Sequence, residues 1–299
     1  MADPFVLHDG DRYYAYGTAG LMPDGRQFRV LESDDLTTWK MRGGALIPTG
    51  QTAYWAPEVA IADGIYYMYY SSGDEGGLNH QLHVATSRSP LGTFRDKRIL
   101  TPNEPFAIDP HPFRDANGDW YLFYSRDFLT LNGDYRVGTG IVVDRLLDMT
   151  TLAGDPRPVV RPFADWQLYE AQRSMYGAIY DWYTIEGAAT RVHDGRYYCF
   201  YSGGAWQREN YGIGYVVADH PLGPYRRPFD HTPILRSLPG QVIGPGHNSF
   251  TESPSGQEYI VYHGWDATMT ARLLRIDRLE WDDECPVIAG PTTASQPLE

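Results

Sequence analysis

Only two cysteines occur among the 299 residues, Cys199 and Cys285, and neither belongs to a CxxC or zinc-site spacing. That excludes a disulfide framework and a structural zinc centre, and both residues are expected as buried free thiols. No apolar run approaches the roughly 18 residues that a membrane helix needs, and the opening MADPFVLHDG lacks the basic and apolar parts of a signal peptide. As it stands, the chain is expected to be soluble and cytoplasmic with no membrane partner, or secreted if a leader has been removed. Positive charge is scarce as well, with 25 Lys and Arg against 38 Asp and Glu and a net charge of −13. Such a balance argues against a nucleic-acid partner, which needs a basic face to displace counterions, and against acidic substrates. Missing too are a GxGxxG turn, a Walker loop, a GxSxG elbow and an HExxH helix, while the nine histidines are scattered. Dinucleotide, phosphate, serine-nucleophile and tight transition-metal chemistries lose their usual support.

Aromatic residues and hairpin turns are abundant, and they repeat. The copies are HDGDRYYAYGT from His8, ADGIYYMYYSSG from Ala62, RDANGDWYLFYSRD from Arg114, VHDGRYYCFYSGG from Val192 and SPSGQEYIVYHGWD from Ser253. Each couples an Asp-Gly, Asn-Gly or Ser-Gly turn to alternating Tyr, Phe and Trp, the pattern of an antiparallel hairpin with a half-buried strand. The turn glycines Gly10, Gly64, Gly118, Gly195 and Gly256 recur about every 55 to 75 residues, a period that fits one propeller blade with variable loops. The expectation is one all-β domain over 1–299, a five-bladed β-propeller whose four-stranded antiparallel blades surround a central channel. VLESDDLTTW from Val30, VATSRSPLGTF from Val84 and VVADHPLGPY from Val216 read as third strands leading into outer edges. Every blade is complete in chain order, so ring closure should need no exchange of strands.

The innermost strand of each blade lines the axis, so residues at one phase of the repeat converge there. Reading back from the turns gives Asp3, Glu58, Asp109, Glu186 and His247. Asp9, Asp63 and Asp194 are assigned to the turns themselves. Five ionisable groups at one phase argue for a functional channel mouth, because packing alone would favour apolar residues there. Trp55, next to Glu58, is a candidate sugar platform. The longest departure from the repeat, 127–184, carries Trp166, Tyr169, Tyr176, Tyr180, Trp182 and Tyr183, which either cover a sheet edge or wall a cleft. Carboxylates around a polar cleft with aromatic faces suggest glycoside hydrolysis, in which one acid protonates the leaving oxygen and another activates water or attacks carbon. A third carboxylate raises the pKa of the acid by like-charge repulsion.

These segments, in this order, resemble glycoside hydrolase family 43, a family of five-bladed propellers, from Asp3 to about Pro286. The likeness rests on ADPFV, YWAPEV, IDPHPF with WYLFYS, TIEG with YYCFYSGG and PLGPY, GPGHNSF, YHGWD and RLLRIDRLEW. It implies an inverting hydrolase with Asp3 as general base, Asp109 as pKa modulator and Glu186 as general acid. It also implies that Arg272 contacts the innermost sugar. Trp55, Glu58 and His247 are expected at the substrate, with His247 also near a water-mediated calcium ion in the channel; no cofactor is required for the chemistry. The implied substrates are arabino- or xylo-oligosaccharides, cleaved from the end to release α-L-arabinofuranose or β-D-xylose. Endo-1,5-α-L-arabinanase action is the alternative within the family, and a non-catalytic carbohydrate-binding propeller the alternative outside it. The chain departs from the family pattern at Ala188, where TIEGP is common, and at Asp283 to Pro286, where a DGWP-like ending is common.

Overall fold

The computed structural model describes residues 1–294, and 295–299 lie outside the described residues. Its strands form five antiparallel groups in chain order. The first comprises β1 (Ala2–Asp9), β2 (Arg12–Thr18), β3 (Gln27–Ser33) and β4 (Lys40–Leu46). The second comprises β5 (Ala53–Ala62), β6 (Ile65–Gly73), β7 (Gln81–Ser87) and β8 (Arg95–Ile99). In the third, β9 (Ala107–Arg114), β10 (Trp120–Phe128) and β11 (Gly138–Asp148) are edged by the short β12 (Thr151–Leu152) and β13 (Arg157–Val160). A hairpin, β14 (Leu168–Met175), leads into the fourth group of β15 (Ala178–His193), β16 (Arg196–Gly203) and β17 (Gly212–Ala218). The fifth comprises β18 (Ile243–Glu252), β19 (Glu258–Trp265), β20 (Arg272–Asp282) and β21 (Cys285–Ile288).

The expected five blades are present, each with its repeated hairpin at the first turn. Type I′ chemistry is visible where Asp63-Gly64 and Asp194-Gly195 both take positive φ. Regularity fails on the fourth blade, whose outer edge is reduced to isolated bridges of Val217 with Arg226 and Ile213 with Leu235. The third and fourth blades are also joined, by a parallel pairing of β11 with β15 at Gly138↔Tyr183 and Thr139↔Thr184. Gly138 sits at φ 146°, and a Cβ there would fall 1.8 Å from the Tyr183 carbonyl oxygen.

Apolar packing runs around the ring between neighbours. Tyr16, Phe28, Val59 and Met68 seal the first blade to the second; Tyr69, Val84, Leu122 and Tyr124 seal the second to the third. Phe123, Val143, Ile185 and Tyr201 continue the seam, followed by Phe200, Tyr215, Ile260 and Tyr262. Val6, Tyr13, Ala15 and Val261 close the first blade against the fifth, where Tyr13 also donates to the Glu252 carbonyl at 2.9 Å. Among the described residues, no strand passes between the first and last blades. The aromatic repeat thus supplies a seam, with hydroxyls placed on polar partners: Tyr69 on the Met149 carbonyl at 2.8 Å and Tyr262 on Asp277 at 2.6 Å. Cys199 is buried in such a seam as expected. Cys285 is exposed, contrary to expectation, because it begins the outermost edge strand.

Candidate active site

Each innermost strand breaks register at the same place, and the last of them breaks once more just before it, between Ile243 and Gly246. The shifts fall between Ala2 and Phe5, Trp55 and Glu58, Ile108 and His111 (read from their partners Ser125 and Phe123), Glu186 and Ala189, and Gly246 and Ser249. Within each bulge one residue is left-handed: Asp3, Ala56, Asp109, Gly187 and His247, with φ between 48° and 61°. Bulges re-aim side chains, and here they turn the inner strands toward the channel. The equivalent set is therefore Asp3, Ala56, Asp109, Gly187 and His247. Glu186 precedes its bulge residue and Glu58 follows its own by two.

That offset decides the fate of Glu58. Its carboxylate lies 2.7 Å from His111 Nδ1, and His111 Nε2 accepts the Thr190 N–H at 2.9 Å, so the ring proton sits on Nδ1 and donates to Glu58. Glu58, expected at the substrate, is not among the residues lining the cavity that holds the other acids. The cavity, about 320 Å³, is lined by Asp3, Thr18, Trp55, Ile108, Asp109, Glu186, Trp206, Tyr211, His247 and Arg272. Apart from Glu58, all the expected site residues meet there.

A second polar ring supports the first. Opposite the bulges, on the second strand of each blade, stand Thr18, Ser71, Ser125, Ser202 and His263. Three of them accept the N–H of the left-handed residue in the following blade: Ala56 to Thr18 at 2.9 Å, His247 to Ser202 at 2.6 Å and Asp3 to His263 Nδ1 at 3.2 Å. At the fourth blade the pattern changes. The Gly187 N–H goes to the Asp109 carboxylate at 3.2 Å, while Ser71 and Ser125 hydroxyls have no protein partner among the described residues. Asp109 thereby replaces a neutral staple and ties itself to the strand that carries Glu186.

The electrostatics separate the carboxyls. Burial alone would raise the pKa of Asp3, but His247 and Arg272, at 3.5 and 3.4 Å from its Oδ1, outweigh burial and hold it well below the usual carboxylate range. His263 is equally near, but its Nδ1 is occupied as an acceptor and burial keeps the ring neutral, so it orients Asp3 without adding charge. Glu186 is pushed up to about 8, first by burial and then by the negative charge of Asp109. Asp109 is itself raised to about 6, chiefly by burial. Burial disfavours the His247 imidazolium, yet Asp3, Asp109 and Glu186 together raise its pKa. Near neutral pH, one wall thus carries a carboxylate anion at Asp3 and a carboxylic acid at Glu186.

Aromatic groups frame these acids. Trp55 stacks on His80 with centroids 3.7 Å apart. Across the cavity lining, Trp206 stacks on Trp265 at 5.9 Å, and the Arg272 guanidinium lies 4.5 Å from the Trp206 ring and 5.6 Å from the Trp265 ring. Arg272 is therefore fixed by both cation–π contact and Asp3. Thr18, Trp206 and Tyr211 escaped the sequence reading. Thr18 carried a signal, since a polar residue ends every repeated aromatic strand, whereas Trp206 and Tyr211 lie in a 204–211 loop outside any repeat.

The long departure neither walls the cavity nor merely covers an edge. Much of it is the outer part of the third blade, and none of its aromatics lines the cavity. Trp182 is buried, while Trp166 and Leu168 offer their carbonyls to Asn210 at 2.9 and 2.7 Å. This segment props the loop that presents Trp206 and Tyr211. For calcium, the residues do not assemble a protein cage: among those described, no three His, Cys, Asp or Glu groups converge to hold a metal. Calcium takes about six to eight oxygen ligands, and His247 is held toward its cationic form by the surrounding acids.

Glycosyl hydrolases family 43 matches residues 1–286. The chain is 30% identical to Beta-D-galactofuranosidase xynD of Aspergillus niger, over 94% of this chain and 80% of that one. It is 26% identical to an Extracellular exo-alpha-(1->5)-L-arabinofuranosidase of Streptomyces avermitilis, over 88% of this chain but 54% of that longer protein. A thermostable family-43 glycoside hydrolase of known structure superposes with a TM-score of 0.85 at 33% identity, over 99% of this chain and 95% of its own.

Proposed function

The chain belongs to glycosyl hydrolases family 43, and on that premise we propose that it releases single pentose units from the ends of plant cell-wall oligosaccharides with inversion. The observation that carries this reading is the pair of opposed protonation states in one cavity, an anionic Asp3 and a protonated Glu186. In the proposed reaction Asp3 takes a proton from water as the water oxygen attacks the anomeric carbon. The glycosidic C–O bond breaks with its electron pair moving to the leaving oxygen, and Glu186 transfers its proton there. Asp109 keeps Glu186 protonated and holds its strand through the Gly187 amide. Trp55 and Trp206 offer apolar faces to sugar rings, and Arg272, pinned between indoles and Asp3, hydrogen-bonds sugar hydroxyls.

The cavity volume of about 320 Å³ is at the low end of the roughly 300–1,000 Å³ typical of small-molecule sites, which favours exo action on α-L-arabinofuranosyl or β-D-xylosyl ends. An extracellular setting, as in the name of the Streptomyces relative, goes with such a substrate. Aryl arabinofuranoside, aryl xyloside and linear arabinan would be offered to the protein, and proton NMR would follow the first-formed sugar. Monosaccharide with inverted anomeric configuration is expected. Internal cleavage of arabinan would move the assignment to an endo-arabinanase, retained configuration would make Asp3 a nucleophile, and binding without turnover would leave a carbohydrate-binding propeller.

A further inference from the structure

Tyr211 belongs to no repeated motif, yet its phenol ends on the acid. Its hydroxyl lies 2.8 Å from Glu186 Oε1, and among the described residues it has no other hydrogen-bond partner. The ring is 1% exposed and stacks on His263, with centroids 5.9 Å apart and planes 11° apart. Gly246 leaves the ring its place, since a Cβ there would fall 2.1 Å from Tyr211 Cε1. The neighbouring Asn210 anchors the loop through the Trp166 and Leu168 carbonyls. The ring is thus held by packing rather than by its hydroxyl, which is free to serve Glu186. Burial, then the charge of Glu186, raises the pKa of the phenol well above its usual 10, so it keeps its own proton through any working pH.

We propose that Tyr211 is a positioning residue for proton transfer: by donating to Oε1 of Glu186 it leaves the single transferable proton on Oε2 and steadies the carboxylate once that proton has gone. The proposal rests on Glu186 being the general acid. A protonated carboxyl has one O–H and two oxygens able to carry it, and a fixed donor at one oxygen selects the other. As the leaving oxygen takes the proton, the Oε2–H bond breaks and its electrons stay on Glu186, where the Tyr211 hydrogen bond becomes charge-assisted and stronger. Tyr211 neither gains nor loses a proton. Its effect opposes that of Asp109: a donor favours the charged form of Glu186, whereas the neighbouring anion disfavours it.

The test is Tyr211→Phe, which keeps the ring. Carboxyl carbon NMR would titrate Glu186, and pH profiles of kcat and kcat/KM would be taken on aryl glycosides with activated and poor leaving groups. Expected are a Glu186 titration and a basic limb displaced to higher pH, little change in KM, and a loss of kcat of roughly 10- to 100-fold confined to the poor leaving group. A titration that stays put or moves down, or an equal loss on both substrates, overturns the proposal. Glu186→Gln separates the premise from the inference. If that variant spares poor leaving groups, the acid assignment fails; if it impairs them selectively while Tyr211→Phe does not, only the role of Tyr211 fails. Thermal melting checks folding, and Gly246→Ala, which displaces the ring, should repeat the upward shift; its failure to do so in a folded protein also counts against the proposal.

Discussion

Replacing Asp109 by Asn removes one negative charge from the site while leaving an amide oxygen able to accept the Gly187 N–H, now bonded at 3.2 Å. The perturbation therefore isolates electrostatics from positioning. Glu186 stands at about 8, with burial the larger cause and the Asp109 charge the next. Since a neighbouring like charge is worth about one to two pH units and burial remains, the basic limb should settle between the present value and the ordinary carboxylate range. The sign follows from the chemistry: catalysis needs the protonated form, and the lost anion makes ionisation easier. For a limb displaced by about 1.5 units, the protonated fraction falls roughly fourfold at pH 7 and about sixteenfold at pH 8. Below pH 6 the loss from this cause shrinks. Stopped assays of kcat/KM from pH 4 to 9 on one aryl glycoside would measure it, with Asp109→Ala as the companion that also loses the amide contact. A basic limb that does not move in Asp109→Asn, or that rises, would refute the electrostatic role.

Glu186→Ala should slow hydrolysis of poor leaving groups by about 10²- to 10⁴-fold while sparing activated aryl glycosides, whereas Asp3→Ala should impair both, because water still needs a base; leaving-group series measure this directly. Glu58→Ala should leave KM for the sugar unchanged while costing about 1–3 kcal/mol of stability, read by denaturant melts, because Glu58 is spent on His111 rather than on the cavity. Gly138→Ala should destabilise by about 3 kcal/mol or more, seen as a lower thermal midpoint, because the new Cβ would meet the Tyr183 carbonyl at the junction of the third and fourth blades.

The repeat of turn and aromatic strand was enough to specify five blades, since hairpin turns and alternating Tyr, Phe and Trp depend on neighbours a few residues away. It also singled out Asp3, Asp109, Glu186 and His247, which line one cavity, because the inner strands begin in the same phase. What it could not decide was anything set by contacts between blades or by loops outside the repeat. Glu58 shares the approximate phase of Asp3 and Asp109, but it stands two residues beyond its own bulge residue, Ala56, and meets His111 instead. Trp206 and Tyr211 reach the cavity only because Asn210 and Trp265 fasten their loop to distant parts of the ring. Local propensity writes the strands into the chain, but a carboxyl acquires its charge state from burial and from neighbours brought within a few ångströms of it. Asp3 became the anion and Glu186 the acid only when the ring closed around them.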